Sequence, residues 1–358
     1  EEKQDLRANP QRLNLPLLEP CRITVLLVTD FLLDFGPGDF GLEEFIANIS
    51  DGYGPWVAVT VETAHRDGAE PTTIPGRFRF DQHDLESYDQ IWLFGSQIRP
   101  LMSKSERKAV AEFMNGGGGV FATGDHEGLG WSVCGDLPRV RSMRRWYFPE
   151  EFRIFGFDHR PIPDEHDGRL VAPPFLGQQR HDTVADRGDD VLDFDNQSDD
   201  VPKSIAPRLY RRFLASNDRH RGSIWAFPHP LLCGPNGIIR VLPDHPHEGK
   251  CEVPRNGLAV YELEQEDGFD GYRVEEYPPD NLGRRVLPEV VAWATNGVGI
   301  SRLHKGPVPP TRFGAVGAYD GHRAGVGRVT VDSTWHHFLN TNLRGALDRD
   351  GVLGMGFY

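Results

Sequence analysis

The residues best suited to chemistry stand together in the frame Gly-Asp-His-Glu-Gly, residues 124–128. A glycine run and a short apolar run, residues 120–122, precede it and predict a buried strand that ends in a tight turn. Glycines on both sides let the chain turn from strand to helix and lift the central residue above the sheet edge. That residue is His126, a weak nucleophile but a good metal ligand or proton carrier. We expect a catalytic or metal-binding role for it, with Asp125 or Glu127 as general base. The alternative is a histidine held by a backbone carbonyl.

Further histidines follow other predicted strands. His245 and His247 form a His-x-His pair, and an extended segment would point both rings the same way, which suits joint metal ligation. The alternative for this pair is a proline-flanked surface turn. His336 and His337 follow the last predicted strand. Spacing does not decide which of these two faces a site, and we favour His336 because it would come directly off the strand.

Together these residues predict a metal centre. Imidazole and carboxylate ligands suit Zn, Fe or Mn, and an open coordination position would activate water for hydrolysis. We therefore expect one divalent metal per chain. Its predicted ligands are His126, His245, His247 and His336, and the predicted catalytic residues are His126, Asp125, Glu127 and His336.

The elements that would position these residues predict an α/β fold with an open, mostly parallel, doubly wound sheet. Strands are predicted at residues 22–29, 56–64, 88–94, 120–123, 237–242, 289–295, 314–319 and 327–332, with helices at 41–49, 103–114, 202–214 and from 339. The strands at 22–29, 88–94 and 120–123 should be adjacent at the centre. Asp30 directly follows the first of these strands, which makes it a candidate site residue, the alternative being a loop cap.

The chain outside these elements divides into an arm and an insertion. We expect residues 1–20 to form an N-terminal arm, and residues 21–350 to form a single α/β domain with an insertion at about 136–200 beside the site. Within the insertion, the basic aromatic patch 139–147 could bind an anionic or sugar-like substrate. We favour a solvated face that pairs with the acidic tract 186–200.

Composition limits the partners. Of the 358 residues, 38% are hydrophobic, enough for a sizeable core, and the formal net charge of −14 argues against a nucleic-acid groove or an anionic membrane surface. Four cysteines without C-x-x-C spacing favour a reduced, cytoplasmic setting, with one disulfide left open. The expected partner is a small-molecule substrate, and a homo-oligomer stays open.

Three segments resemble a known family: YDQIWLFGS…LMSKSERKAVAEFMNGGGGVFATGDHEG, then PHPLLCGPNGIIRVLPD, and finally GVGRVTVDSTWHH. They are similar to the ThuA-like (trehalose-utilisation) branch of the class I glutamine amidotransferase-like superfamily, over about residues 22–130, 227–244 and 288–343. The resemblance implies that family's fold. A glutaminase of this superfamily needs Cys at the elbow centre and a His-x-acid pair after the last strand. His126 and Phe338 occupy those positions, and Cys134 lies where a helix would carry it away.

Three classes of function follow from these residues. The first is a hydrolase that acts on a small polar substrate, carbohydrate-derived or an amide, by metal- or histidine-assisted activation of water, and that is not a glutaminase. The second is a non-catalytic binding or accessory subunit that kept the fold. The third is an isomerase or lyase that uses the same histidines and carboxylates for proton transfer. We favour the hydrolase.

Overall fold

The computed structural model describes residues 21–51, 57–124, 129–145, 203–215, 222–234, 237–242, 250–254, 260–296, 299–301, 306–308 and 311–344. Several predictions fall outside these ranges: the arm at 1–20, the elbow residues 125–128, the larger part of the insertion and the His-x-His turn.

The described elements, in chain order, are mainly strands. The strands are β1 (Cys21–Thr29), β2 (Val57–His65), β3 (Ile74–Arg77), β4 (Gln90–Phe94), β5 (Gly119–Thr123), β6 (Arg144–Arg145), β7 (Lys203–Ser204), β8 (Ala206–Pro207), β9 (Leu209–Ala215), β10 (Gly222–Pro228), β11 (Cys233–Gly234), β12 (Gly237–Ile238), β13 (Val241–Leu242), β14 (Lys250–Cys251), β15 (Val260–Leu263), β16 (Tyr272–Glu275), β17 (Glu289–Asn296), β18 (Gly299–Ser301), β19 (Gly306–Val308), β20 (Thr311–Tyr319) and β21 (Val329–Asp332). The α-helices are α1 (Glu43–Asp51), α2 (Lys104–Asn115), α3 (Val140–Met143) and α4 (Asn340–Arg344).

The main sheet has a parallel half and an antiparallel half. Strands β3, β2, β1, β4, β5 and β21 lie side by side in that order, and every pairing among them is parallel. Beyond β21 the sheet continues antiparallel through β20, which pairs with both β14 and β17. The predicted α/β class with a large, mostly parallel central sheet is confirmed. So is the central position of β1, β4 and β5.

The parallel half is buried on both faces, which explains its unbroken apolar runs. Successive residues of β1 belong to different core clusters: Leu26 and Val28 pack with α2, whereas Leu27 packs with α1. The two helices therefore cover opposite faces of the sheet. Helix α2 begins at a capping box in which Ser103 and Glu106 each bond the other's backbone, as the sequence predicted.

The helix predicted at residues 202–214 is wrong. The chain there forms the short strands β7 and β8 and the longer β9, which makes an antiparallel hairpin with β10. Pro207 interrupts any helical hydrogen-bond pattern, and the Tyr and Phe of β9 favour strands. The apolar spacing that suggested a helix is better explained by cross-strand pairs such as Tyr210 with Phe227.

The basic segment that follows the elbow is part of the core and does not form a solvated face. Arg139 and Arg144 are 0% and 1% exposed. Arg139 Nε donates to the carbonyl of buried Glu276 at 2.7 Å, and Arg141 forms an ion pair with the Glu276 carboxylate. Two residues of the segment form β6, which pairs with β14 in the main sheet. The solvated interpretation failed because the partner carboxylate lies 135 residues further along the chain.

All four cysteines are free thiols; Cys134 and Cys251 are buried, and Cys21 and Cys233 are exposed. Within the part of the chain that the structure describes, no helix is long and apolar enough to cross a membrane.

Candidate functional site

The order of the parallel strands locates the candidate site. From β1 the chain moves to β2 on one side, and it later returns to β4 on the other side of β1. With α1 and α2 on opposite faces, the gap between the carboxyl ends of β1 and β4 is the point where ligands bind in open α/β sheets. Asp30 follows β1 at this point, and Ser96 follows β4 by one residue.

Asp30 is buried and fully hydrogen-bonded. Its Oδ1 accepts from the Ser96 backbone N–H at 2.5 Å and from Ser96 Oγ at 3.1 Å, and its Oδ2 accepts from Ser132 Oγ. Burial raises the pKa of Asp30 from 3.8 to about 6, against the lowering effect of the bonds from Ser132 and Ser96. The carboxylate therefore joins β1, β4 and the π-helical turn Trp131–Gly135 in one polar cluster.

That π-helical turn brings Cys134 back under the strand ends. The prediction that a helix would carry this residue away is wrong, because the turn curls beneath β4 and β5. Its Sγ donates to the Thr123 carbonyl at 3.2 Å, and burial raises the pKa of the thiol. A buried thiol that donates to a carbonyl is held in its protonated form, which is the form that does not attack substrates.

A second buried carboxylate lies where β21 ends. Asp332 Oδ2 is 3.1 Å from His337 Nε2, and Asp332 Oδ1 accepts from the Thr334 backbone N–H at 3.1 Å. Both side chains of the Asp332–His337 pair are 6% exposed. His337 Nδ1 is also buried and has no hydrogen-bond partner among the described residues. Such an imidazole is oriented at one nitrogen and available at the other, which is the arrangement of a general base or a metal ligand.

Hydroxyl groups lie next to this pair. The register of β5 and β21 pairs Ala122 with Val331, so Thr123 and Asp332 stand side by side, about 4.8 Å apart, on one face. Thr123 Oγ1 and Ser333 Oγ are buried and, within the described ranges, make no hydrogen bond. Buried polar atoms in this state are rare, so they mark a place where a polar ligand can bind.

The segment after β21 connects the two carboxylates. Trp335 donates its backbone N–H to the Gly124 carbonyl at 3.1 Å and its indole N–H to the Gly95 carbonyl at 2.9 Å. It therefore crosses the ends of β5 and β4 toward Asp30. The ends of β1 and β21 are three strand spacings apart, roughly 14 Å, which one small substrate and its contacts can span.

The buried guanidinium of Arg144 holds the same segment through its backbone. Arg144 Nε donates to the Asp332 carbonyl at 2.7 Å, and its Nη2 donates to the Ser333 carbonyl at 2.8 Å. These bonds fix the backbone that carries the Asp332 carboxylate. Arg144 belongs to the basic patch for which a substrate-binding role was considered, and its described contacts are with the protein backbone.

The elbow itself lies outside the described residues. His126, with Asp125 and Glu127, follows Gly124, the last described residue of the frame before the gap. Because the Gly124 carbonyl accepts from Trp335, the elbow starts directly beside the segment that carries His336 and His337. His245 and His247 also lie outside the described ranges.

His336 occupies a different position from the one expected. Strand β21 ends at Asp332, so His336 does not come directly off the strand, which was the reason for preferring it. Its ring stacks on the ring of Trp335, with centroids 4.6 Å apart, and the side chain is buried. His337 is the neighbour that pairs with a carboxylate.

Sequence reasoning missed the two serines and the pairing of Asp332 with His337, although it left His337 open as a site residue. Ser96 could have been found, since it is the second residue after a predicted strand, close to the position that Asp30 has after β1. Ser132 carried no signal, and Arg144 was noticed only as part of the basic patch, because their roles depend on turns that fold back over the sheet edge.

The described residues include only one of the four predicted metal ligands, His336. No group of three or more His, Cys, Asp or Glu side chains suited to a metal occurs in the described part of the chain, and three of the four predicted ligands lie outside it.

Comparisons with family models, curated proteins and solved structures returned no match for this chain.

Proposed function

We propose that this protein is a hydrolase that activates water at the carboxyl ends of β1, β4, β5 and β21. The observation that carries the proposal is the Asp332–His337 pair, in which the buried His337 Nδ1 has no hydrogen-bond partner among the residues that the structure describes. The substrate would be small and polar, either carbohydrate-derived or an amide. The resemblance of the elbow and of the last strand to the ThuA-like branch of the class I glutamine amidotransferase-like superfamily supports the same location.

Each residue has a defined part in this proposal. His337 Nδ1 takes a proton from the attacking water and later delivers it to the leaving group. Asp332 holds the ring in position and stabilises its protonated form. Arg144 keeps the Asp332 backbone in place. The hydroxyl of Thr123, which stands beside Asp332, donates to the substrate oxygen on which negative charge develops.

A divalent metal is part of the proposal through the residues of the elbow and the His-x-His turn. His126, His245, His247 and His336 remain the proposed ligands for Zn, Fe or Mn. A bound metal would lower the pKa of its water toward ~7. Asp125 and Glu127 flank His126 and are the proposed carboxylates at this centre. His337 fits the same chemistry, because its other nitrogen is held by a carboxylate. A cytoplasmic setting is included in the proposal, since the four cysteines are free thiols.

The test is turnover in isotopically labelled water. Protein purified without added metal is analysed for metal content and incubated in H₂¹⁸O with a panel of simple amides and glycosides. Product that gains one ¹⁸O, by mass spectrometry, supports hydrolysis, and its loss in His337→Gln assigns it to this site.

Two other results would overturn the hydrolase. A label-free product that is isomeric with the substrate identifies an isomerase, and two label-free products whose formulae sum to that of the substrate identify a lyase. Saturable binding without turnover, whether or not metal is present, identifies a binding subunit.

A further inference from the structure

The loop between β1 and α1 exposes large apolar side chains beside the candidate site. Phe31, Leu32 and Phe40 are 59%, 56% and 52% exposed. Phe31 and Leu32 directly follow Asp30, so they stand at the topological switch of the sheet. Single exposed apolar residues are ordinary, but three in one loop at a ligand-binding edge form a patch.

Phe31 is held in an unfavourable backbone conformation. Its φ is +51°, in the left-handed region that bulky residues rarely adopt. The Phe31 N–H donates to Asp67 Oδ2 at 3.0 Å, and the Leu32 N–H donates to Ser96 Oγ at 3.1 Å. Groups that follow β2 and β4 thus maintain this conformation, which leaves the Phe31 ring in solvent. Stability alone would favour glycine here, so the exposed ring has to be explained by what it binds.

Phe40 extends the patch toward the proposed base. Its ring meets Trp335 edge-on, with centroids 6.5 Å apart, and Trp335 in turn stacks on His336. The exposed Phe40 ring is therefore in contact with the segment that carries the Asp332–His337 pair.

The size of the patch indicates a small ligand. Three side chains that are about half exposed present roughly 300 Å², since a whole aromatic side chain covers about 150–250 Å². A stable protein interface needs about 800 Å² from each partner. An area of roughly 300 Å² instead corresponds to one aromatic ring or one branched aliphatic group.

We propose that Phe31 and Leu32 bind an apolar group of the substrate, so that the substrate carries an aromatic or branched aliphatic group at the end opposite to its hydrolysed polar bond. The inference rests on the proposed function. It specifies the substrate class as amphipathic, with a polar reacting end at Asp332–His337 and an apolar end on the β1 loop.

The test uses substrates that differ only in the apolar group: methyl, isobutyl and benzyl members of one amide series and of one glycoside series, each joined to the hydrolysed bond by a polar linker matched to the roughly 14 Å between the ends of β1 and β21. We expect the benzyl member to exceed the methyl member at least tenfold in kcat/KM. Phe31→Gly and Leu32→Ser should each reduce this ratio at least threefold, through KM. Because glycine accepts a positive φ, Phe31→Gly should not lower Tm, which separates a binding role from a structural one.

The matched control is Leu282→Ser, which changes an apolar residue that is 68% exposed in a different loop and should leave the ratio unchanged. A ratio near one in the wild type, or an unchanged ratio in both β1-loop variants, would overturn the inference and leave hydrolysis intact. If no member is turned over, the proposed function fails by itself. Binding of the same compounds, measured by the quenching of tryptophan fluorescence, then tests the apolar site alone. Tenfold tighter binding of the benzyl compound than of the methyl compound, lost in Phe31→Gly, supports the apolar site. Equal affinities of the two compounds for the wild type overturn it.

Discussion

Asp30 and Asp332 are both buried carboxylates at the carboxyl edge of the parallel half, but their surroundings differ. Asp30 receives hydrogen bonds from a backbone N–H and two serine hydroxyls. Asp332 receives a backbone N–H and an imidazole whose second nitrogen is unpartnered within the described chain. The first carboxylate is in contact with donors that only hold it in place, whereas the second is in contact with an imidazole, a group that can take up and release a proton.

This difference separates a positioning role from a proton-transfer role. Protonation or ionisation of Asp30 changes how firmly β1, β4 and the π-helical turn are held together. Asp332 acts through the ring that it orients. The position at the end of a strand, which the two aspartates share, does not distinguish them. The groups in contact with each do: Ser96 and Ser132 for Asp30, and Thr334 and His337 for Asp332.

The largest expected effect is on catalysis, in His337→Gln. Glutamine can keep the hydrogen bond to Asp332 but has no nitrogen that can accept a proton. If His337 is the base, kcat should fall about 10²- to 10⁴-fold, the usual contribution of general acid–base catalysis. Steady-state kinetics on the hydrolysed substrate measure this change.

His336→Gln is the control for that variant, since the two histidines are adjacent and both are buried. With its metal content unchanged, it should lose less kcat than His337→Gln. A loss that accompanies lost metal assigns His336 to metal ligation, whereas a larger loss with the metal content unchanged would return the base to His336 and contradict the role of the Asp332–His337 pair.

Next comes the effect of Asp30→Asn on stability. The folded-state pKa of Asp30 is raised from 3.8 to about 6. The protein therefore binds more protons than the unfolded chain between these values, and stability is lost as pH rises from about 4 to about 6. By pH 7.5 the ionisation of Asp30 has lowered the free energy of unfolding by about 3 kcal/mol relative to low pH. The asparagine side chain does not ionise and can still accept from Ser96. The stability of the variant relative to wild type should therefore rise by about that amount between pH 4 and pH 7.5.

Urea unfolding at several pH values measures this difference. Asp267→Asn, at an exposed carboxylate, is the control and should give a difference that hardly varies with pH. A difference for Asp30→Asn that is equally flat would show that Asp30 is not the titrating group.

How far the sequence predicts the molecule depends on how local the determining interactions are. The parallel strands other than β3, and helix α2 with its capping box, are local patterns, and they were predicted with bounds close to those observed. Asp30 was found by the strand-end rule. The burial of Arg139 depends on Glu276, and β9 depends on β10, so neither could be recognised from neighbouring residues. The last strand was predicted to end at residue 332, as β21 does, but the sequence did not indicate the turn that brings His337 back to Asp332.

A moderate effect is expected for Asp332→Asn. The amide keeps the acceptor for Thr334 but removes the charge that stabilises a protonated His337. Loss of the carboxylate behind a working imidazole typically costs about 10- to 100-fold in activity. The loss should be in kcat, with KM little changed, because Asp332 acts through His337 and has no direct role in binding. If Asp332→Asn has the same activity as the wild type, the Asp332–His337 pair is a structural contact, like the hydrogen bonds of Asp30 to Ser96 and Ser132.

The smallest expected effect is that of Ser132→Ala, which removes one of the donors to Asp30. Since that bond favours the ionised carboxylate, its loss should raise the pKa of Asp30 further. Stability should fall by about 1.5 kcal/mol at pH 7.5, the lower end for hydrogen bonds to charged groups, because the two bonds from Ser96 remain. The loss of stability should be smaller at pH 4, where Asp30 is protonated in the folded protein and the hydrogen bond no longer has a charged acceptor.

Combining Ser132→Ala with Asp30→Asn separates the two contributions. Urea unfolding of the double variant should show that removing the serine hydroxyl costs less stability once the charge is absent. If Ser132→Ala costs the same at both pH values and in both backgrounds, the hydroxyl acts by packing alone, and Asp30 would owe its position to Ser96.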